Sequence, residues 1–389
     1  MKIEDFIAPL ENGFLPDSYE STDLAAFTEF YLENYDLSNL MDFDMAIIGC
    51  NEDRLSDLDC ENAPNAVRKH LYQLKIGDFL PKLIDLGNIK KGNTAEDTHF
   101  GLSFVLSKLI SQNVLPIVIG GTQDLTTAIY HAYSILSQKV NLACVDARFD
   151  LGDPEEKIRS NAFLSQILLE TPSYLHTYSN IGLQSYLNDI HSIKLIENMN
   201  FEILRLGLLH QNISDAEPFL RNSHILSFDV ASIRKSDFPA SKHNFAVGLT
   251  GEEASQICRY AGSSNRISSF GIFDFETILD KNNISSELIA VMIWCFIDGF
   301  YSRFNELNIC NTDDYVKVSV IVDNAINNEI VFYRSLLSER WWFEVAHHKK
   351  YEQDGNHLYL LPCTKGDYDN ASRNIIPKKY LSALERFAK

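Results

Sequence analysis

The 389-residue chain is short of positive charge: 34 lysines and arginines stand against 53 aspartates and glutamates, a formal net charge of −19. A nucleic-acid backbone or an anionic membrane would repel such a surface, so neither is expected as a partner. A cation, a small cationic or amino-acid-like molecule, or another protein fits better. Paired cysteines are missing as well. The seven, Cys50, Cys60, Cys144, Cys258, Cys295, Cys310 and Cys363, are odd in number and scattered, with no CxxC pair, which excludes a disulfide framework and reads as reduced thiols in the cytoplasm. No apolar run is long. LIAVMIWCFI at 288–297 lies between Glu287 and Asp298, spans about half of what a membrane crossing needs, and predicts a buried helix. The opening MKIEDFIAPLENGF carries acids where an export signal needs a basic stretch and a longer apolar one, so none is expected. Repeats, low-complexity runs and Pro/Gly-rich linkers are absent too, which favours one domain with embellishments.

What is present is alternation. Short runs rich in Val, Ile and Leu, namely MAIIG (45–49), LPIVIG (115–120), NLACV (141–145), EILRLG (202–207), HILSF (224–228) and SSFGIF (268–273), alternate with stretches of helical period at 62–74, 94–112, 124–136 and 251–262. Thr250 and Glu253 have capping-box spacing, and Pro64 falls in a first turn. The pattern predicts an α/β fold with a mostly parallel sheet covered by helices on both faces. Residues 1–43 read as an acidic, aromatic helical extension and 44–325 as the core. Residues 326–389 read as an appended β region (EIVFYRS, RWWFEVAH, HLYLLPC) with a final helix near PKKYLSALERFAK.

In open α/β sheets, ligands bind outside the carboxyl ends of the strands, so the residues that stop each apolar run carry the information. LPIVIG stops at Gly121, Thr122, Gln123 and Asp124; NLACV at Asp146, Arg148 and Asp150; HILSF at Asp229; SSFGIF at Asp274 and Glu276. A lone aspartate after a strand is ordinarily a helix cap or a turn residue, and Asp124, just ahead of LTTAIYHAY, reads that way. Four runs delivering carboxylates to one edge are another matter. Like charges raise each other's pKa unless something positive sits among them, and hard divalent cations choose carboxylate oxygens.

The strings GGTQD (120–124), DARFD (146–150) and SFDVAS (227–232), in this order and at these separations, resemble the three signature motifs of the ureohydrolase superfamily of arginase, agmatinase and formimidoylglutamase. In active members these read roughly GGDHS, DAHAD and SFDxD. ENAPNAVRKHL is similar to the family's GPxxIR segment and VGLTGEEA to its GLTxRE segment. The similarity runs from about residue 44 to about residue 300, nearest to a divergent bacterial formimidoylglutamase-like branch. The resemblance implies a three-layer αβα sandwich around a parallel sheet of about eight strands. It also implies two manganese ions bridged by a hydroxide that attacks a guanidinium or formimino carbon.

Carried over position by position, the resemblance puts the first metal at Gln123, Asp146, Asp150 and Asp229, where only a histidine has become glutamine. One divalent cation, Mn or Mg, or none, is therefore implied. The second metal would need ligands where Arg148 and Ala231 stand, and a guanidinium stays protonated and cannot ligate, so that site is expected to be empty. The auxiliary histidine's position falls near Phe163, and the substrate-orienting carboxylate at Asp274. Asp274 and Arg148 are thus the candidate catalytic residues, with Arg148 read as standing in for the second metal. The expectation is a non-catalytic binding or assembly protein that holds an Arg–carboxylate network or at most one ion. The alternative is a formimidoylglutamase- or agmatinase-type hydrolase of a formimino or guanidino C–N bond with at most one metal, in which Arg148 places the hydroxide or binds a substrate carboxylate. A homo-oligomer is implied as well.

Weaker signals have plainer readings. His99 is expected on a helix surface, His347 and His348 solvated on opposite sides of a strand, and Trp341 and Trp342 packed on the core or on another subunit. Arg234 reads equally as a surface ion pair or as a residue reaching the same pocket.

Overall fold

The computed structural model describes residues 1–10, 19–33, 35, 37–152, 160–304, 306, 314–323, 329–346 and 358–388. Its strands are β1 (Ile7–Ala8), β2 (Thr28–Phe30), β3 (Met45–Cys50), β4 (Leu83–Ile89), β5 (Leu115–Gly120), β6 (Val140–Val145), β7 (Leu175–Leu183), β8 (Glu202–Arg205), β9 (Ile225–Asp229), β10 (Ser269–Phe273), β11 (Tyr315–Ile321), β12 (Glu329–Ser335), β13 (Trp341–Ala346) and β14 (Leu358–Cys363). The first ten form one sheet. Its eight long members run in the order β4-β3-β5-β10-β9-β6-β7-β8, all parallel, while β1 and β2 lie along β4 on the side away from β3.

Strands β3, β5 and β6 are buried along their whole length, which is why they read as unbroken apolar runs rather than as alternation. Helices Ala63–Leu71, Gly251–Gly262 and Ile284–Tyr301 pack into one apolar core, and helices Ala95–Ser111, Leu125–Ile135 and Phe163–Leu169 into a second. The sheet lies between them, giving the expected three αβα layers. The capping boxes at Thr94–Asp97 and Thr250–Glu253 fix two helix starts. Ile284–Tyr301 is long and apolar enough to cross a membrane, and half of it is buried inside the molecule through residues such as Ile289, Ile293 and Phe296.

The chain order is what builds the site. The strands that end in the three motifs, β5, β6 and β9, together with β10, occupy the adjacent positions β5-β10-β9-β6. Four strand ends far apart in sequence thus open onto one short stretch of the sheet's carboxyl edge.

Two expectations are corrected. The described part of residues 1–43 holds no α-helix: it consists of short 3-10 turns and the strands β1 and β2, whose Ile3, Ile7 and Leu24 are buried in the two apolar cores flanking the sheet. The C-terminal antiparallel sheet, β11 to β14, begins at Tyr315 rather than at 326. Strands β4 and β7 went unread because polar residues such as Asp85, Thr177 and Asn180 are buried within them. Helix Lys378–Ala388 covers the C-terminal sheet, with Tyr380 set edge-on to Phe343 at 5.4 Å. Arg221, just ahead of β9, donates to the carbonyls of Trp341 and Cys363, so this second sheet docks at the amino ends of the core strands, opposite the motifs. Trp342 is buried beneath Arg221 and Trp341 stacks on Tyr368, so both pack within the chain. All six described cysteines are free; Cys310, His347 and His348 lie outside the described residues.

Candidate active site

After β5 the chain turns sharply at Gly121, where a β-carbon would overlap the carbonyl oxygen of Glu52. The turn aims the Gln123 amide N–H at Asp274, whose Oδ1 accepts it at 3.0 Å, and the Asp274 N–H donates to Gly121 O at 3.0 Å. After β6, Asp146 Oδ1 accepts the Arg148 N–H at 2.7 Å; after β9, Asp229 Oδ1 accepts the Ala231 N–H at 2.7 Å. Asp150 and Asp274 both have left-handed backbones, with φ of +47° and +69°, a conformation that short polar side chains tolerate best and that is frequent at functional sites. Each aspartate therefore has one oxygen or its own backbone fixed locally.

The Gln123 side chain closes the group. With its amide nitrogen toward the motif, it donates to Asp150 Oδ2 at 2.9 Å and to Asp146 Oδ2 at 3.3 Å. In the opposite sense its oxygen faces those carboxylates and Nε2 donates to Ser227 Oγ at 3.4 Å. Two carboxylates opposite an amide oxygen need a cation between them; opposite an amide nitrogen they do not.

Burial and mutual repulsion dominate the electrostatics. Asp146 is pushed well above the usual carboxylate range by desolvation, then by Asp150 and Asp229. Desolvation takes Asp150 up to about 6, against the pull of Arg148 and of a hydrogen bond with Asp146. Asp229 rises to about 7 through burial and Asp150, and Asp274 rises well above its ordinary value through burial, Asp229, Asp150 and Asp124. Among the described residues none of these four has a cation within ion-pair distance. The cluster has more negative charge than its surroundings neutralise.

Arg148 does not supply the expected pairing. Its guanidinium lies over the Phe245 ring, 5.2 Å from the centroid, and makes no ion pair among the described residues, although its charge is felt by Asp146, Asp150 and Asp229. The Arg–carboxylate network is therefore corrected to a cation–π contact beside the acids. Phe163 is fully buried in the second core, consistent with an apolar residue at the auxiliary-histidine position. Glu276 is held away from the cluster, accepting the Lys242 N–H at 2.8 Å, and Arg234 pairs with Asp237 at 2.7 Å.

One further expectation fails. His99 is buried, not on a helix surface, and its Nε2 lies 2.8 Å from Asp124 Oδ2. Asp124 stands at the N-cap position of helix Leu125–Ile135 as expected, but its side chain does not cap; its other oxygen accepts the Thr122 hydroxyl at 2.5 Å. The sequence also passed over Asn180 and Asn188. Asn180 Nδ2 donates to Arg148 O at 2.9 Å; Asn188 Nδ2 donates to Ala147 O at 2.9 Å, and its Oδ1 accepts the Phe149 N–H at 3.1 Å. These two amides clamp the DARFD turn; Asn180 lies within β7 and Asn188 follows it.

A pair of metal ions does not fit these residues. Arg148 and Ala231 offer no ligand atom, and among the described residues no three His, Cys, Asp or Glu side chains form a group able to hold an ion. One hard cation fits the donor chemistry only with Gln123 turned oxygen-inward toward Asp146 and Asp150.

The sequence model of the arginase family matches residues 43–298. The formimidoylglutamase of Clostridium tetani is 25% identical over 234 residues, 56% of this chain and 69% of that protein. That of a Geobacillus strain is 26% identical over 261 residues, 62% of this chain and 78% of that protein. The crystal structure of Trypanosoma cruzi formiminoglutamase with manganese superposes with a TM-score of 0.63 at 22% identity, covering 69% of this chain and 97% of that one. The Bacillus subtilis formimidoylglutamase structure gives 0.66 at 16% identity, covering 76% and 96%. At these identities the structural likeness speaks for the fold.

Proposed function

Because the chain belongs to the arginase family, we propose that it hydrolyses a formimino or guanidino C–N bond with at most one divalent cation, and that its substrate carries a carboxylate, as formimidoylglutamate does. The observation that carries this reading is the uncompensated carboxylate cluster of Asp146, Asp150, Asp229 and Asp274. An amidinium is the complementary charge, and the relatives at 25% and 26% identity are formimidoylglutamases.

Gln123, Asp146, Asp150 and Asp229 would hold the one ion, which would supply Lewis acidity, lowering the pKa of a water molecule so that hydroxide is available near neutral pH. Asp274 receives the amidinium N–H groups and orients its carbon; its Oδ1 is already fixed by the Gln123 N–H, so the side chain enters the reaction positioned. Arg148, resting on Phe245 beside the acids, keeps its guanidinium free to take the substrate carboxylate. In the overall change the water oxygen bonds to the formimino carbon and the bond from that carbon to the amino-acid nitrogen breaks. Formamide leaves, and the released nitrogen takes up the protons as an ammonium group.

The test is a screen of formimidoylglutamate, agmatine, arginine and guanidinobutyrate with added Mn²⁺, following formamide, urea or ammonia. Formamide from formimidoylglutamate, with agmatine a poor substrate, is the expected result. Silence on every substrate rejects the hydrolase and leaves the non-catalytic binding role.

A further inference from the structure

The position of Arg148 runs against its local electrostatics. Its backbone N–H donates to Asp146 Oδ1 at 2.7 Å, so that carboxylate lies within the sweep of its own side chain. A guanidinium beside a buried acid with no cation of its own is expected to pair with it. Instead it rests on the Phe245 ring, 5.2 Å from the centroid, and makes no ion pair among the described residues.

That ring is a fixed platform. Phe245 is 39% exposed, and the segment around it is tied down on both sides. Its carbonyl accepts the Lys235 N–H at 2.7 Å, and the buried Asn244 beside it donates its side-chain amide to the Phe238 carbonyl. Farther along, Lys242 Nζ reaches Asp57 at 3.0 Å and His243 Nε2 reaches the same carboxylate at 3.4 Å. Asp57 belongs to the loop after β3, whereas Phe245 belongs to the loop after β9, and β5 and β10 lie between those strands in the sheet. The Phe245 loop is therefore anchored across the strand ends that carry Gln123 and Asp274, and it meets the DARFD turn only through the stacked arginine.

A divalent ion held by Asp146 and its neighbours and the Arg148 guanidinium would need the same carboxylate oxygens, so the two are rivals. An aromatic face gives the guanidinium an alternative place that asks for no carboxylate. We propose that Phe245 is a positioning residue that keeps Arg148 out of the cation site, leaving the carboxylates free for an ion. The inference rests on the one-ion reading of the cluster; it does not depend on hydrolysis, and it holds equally for a chain that only binds the cation.

The experiment is calorimetric titration of the full chain with Mn²⁺ in the unaltered protein, Phe245→Leu, Phe245→Tyr, Arg148→Met and the double variant F245L/R148M. Leucine keeps the apolar bulk at this half-exposed position but removes the ring face, and should weaken Mn²⁺ binding about fivefold or more. Tyrosine keeps the face and should bind like the unaltered chain. With Arg148→Met in place the same leucine should make no difference, because the rival is gone. In a crystal of metal-free Phe245→Leu the guanidinium should be found on the Asp146 carboxylate. A merely structural role for Phe245 predicts equal weakening with and without Arg148, and that result overturns the proposal. So does unchanged binding in Phe245→Leu, loss of binding in Phe245→Tyr, or a guanidinium turned to solvent in the crystal. No Mn²⁺ uptake by the unaltered chain defeats the one-ion reading and this proposal with it, whereas uptake that ignores Phe245 overturns the proposal alone.

Discussion

At Asp229 a buried carboxyl raised to about 7 accepts the backbone N–H of Ala231, which offers only a methyl side chain where the family's motif has another aspartate. Such a group destabilises the folded chain when charged, so Asp229→Asn should raise the melting temperature of metal-stripped protein above neutral pH. The same change should remove any Mn²⁺-dependent rise in melting temperature and lower formamide release by about 10–100-fold or more. Gln123→His should tighten metal binding while elemental analysis still finds no more than one ion per chain. Two ions should appear only when Arg148→His and Ala231→Asp are added, because those positions supply the missing ligand atoms. Single residues were legible where strand-end position and motif spacing coincided, as at Asp146, Asp150, Asp229 and Asp274. The His99–Asp124 contact was not, because it joins residues 25 positions apart and helix Ala95–Ser111 is buried on more than one side. Helical spacing alone cannot say which polar residue on such a helix meets a partner.

Elements carry their own charge problems. Arg68 and Asp85 are both fully buried; Arg68 Nε and Nη2 reach the two Asp85 oxygens at 2.7 and 2.9 Å, and the Tyr72 hydroxyl donates to the same carboxylate. This network ties helix Ala63–Leu71 to β4 and explains a charged residue in a buried strand. Asp85→Ala should destabilise the protein by about 3–5 kcal/mol in urea unfolding, because it leaves a guanidinium unpaired in the core. His224, just before β9, accepts the Asn141 N–H on Nδ1 at 3.0 Å, and burial followed by Arg266 and His176 pushes its pKa down to about 4. Its folded pKa lies below the unfolded value near 6.5, so its contribution is complete above that value and is lost as pH falls toward about 4. Acid unfolding followed by circular dichroism should be less steep over this window in His224→Asn. Element positions were readable for the uniformly apolar β3, β5 and β6. They were hidden in β4 and β7, where the buried Asp85 and Asn180 find their partners in Arg68 and the Arg148 carbonyl, 17 and 32 residues away.

For the whole molecule, the order β5-β10-β9-β6 is the fact that matters most, and neither the apolar runs nor the family resemblance foretold it. Strand adjacency follows from crossovers that leave no local trace in the sequence. The resemblance conveyed the layers and the eight parallel strands, and it could not convey the C-terminal sheet, which lies beyond the matched residues 43–298. Of that sheet, β12 to β14 were readable from their aromatic and apolar content, whereas β11 went unread because several of its residues are solvent-facing. The same limit applies to the first two strands. Ile7 and Ala8 pair with Ile89 and Asn88, and Thr28 to Phe30 with Leu83 to Asp85, so the outer amides and carbonyls of β4 are taken up by the chain's own N-terminal segment. A version starting at residue 43 would keep every motif yet present that row of backbone groups to solvent, a template onto which another molecule can add a strand. Light scattering of such a version should show concentration-dependent self-association that the full chain lacks, making residues 1–42 a built-in guard against aggregation.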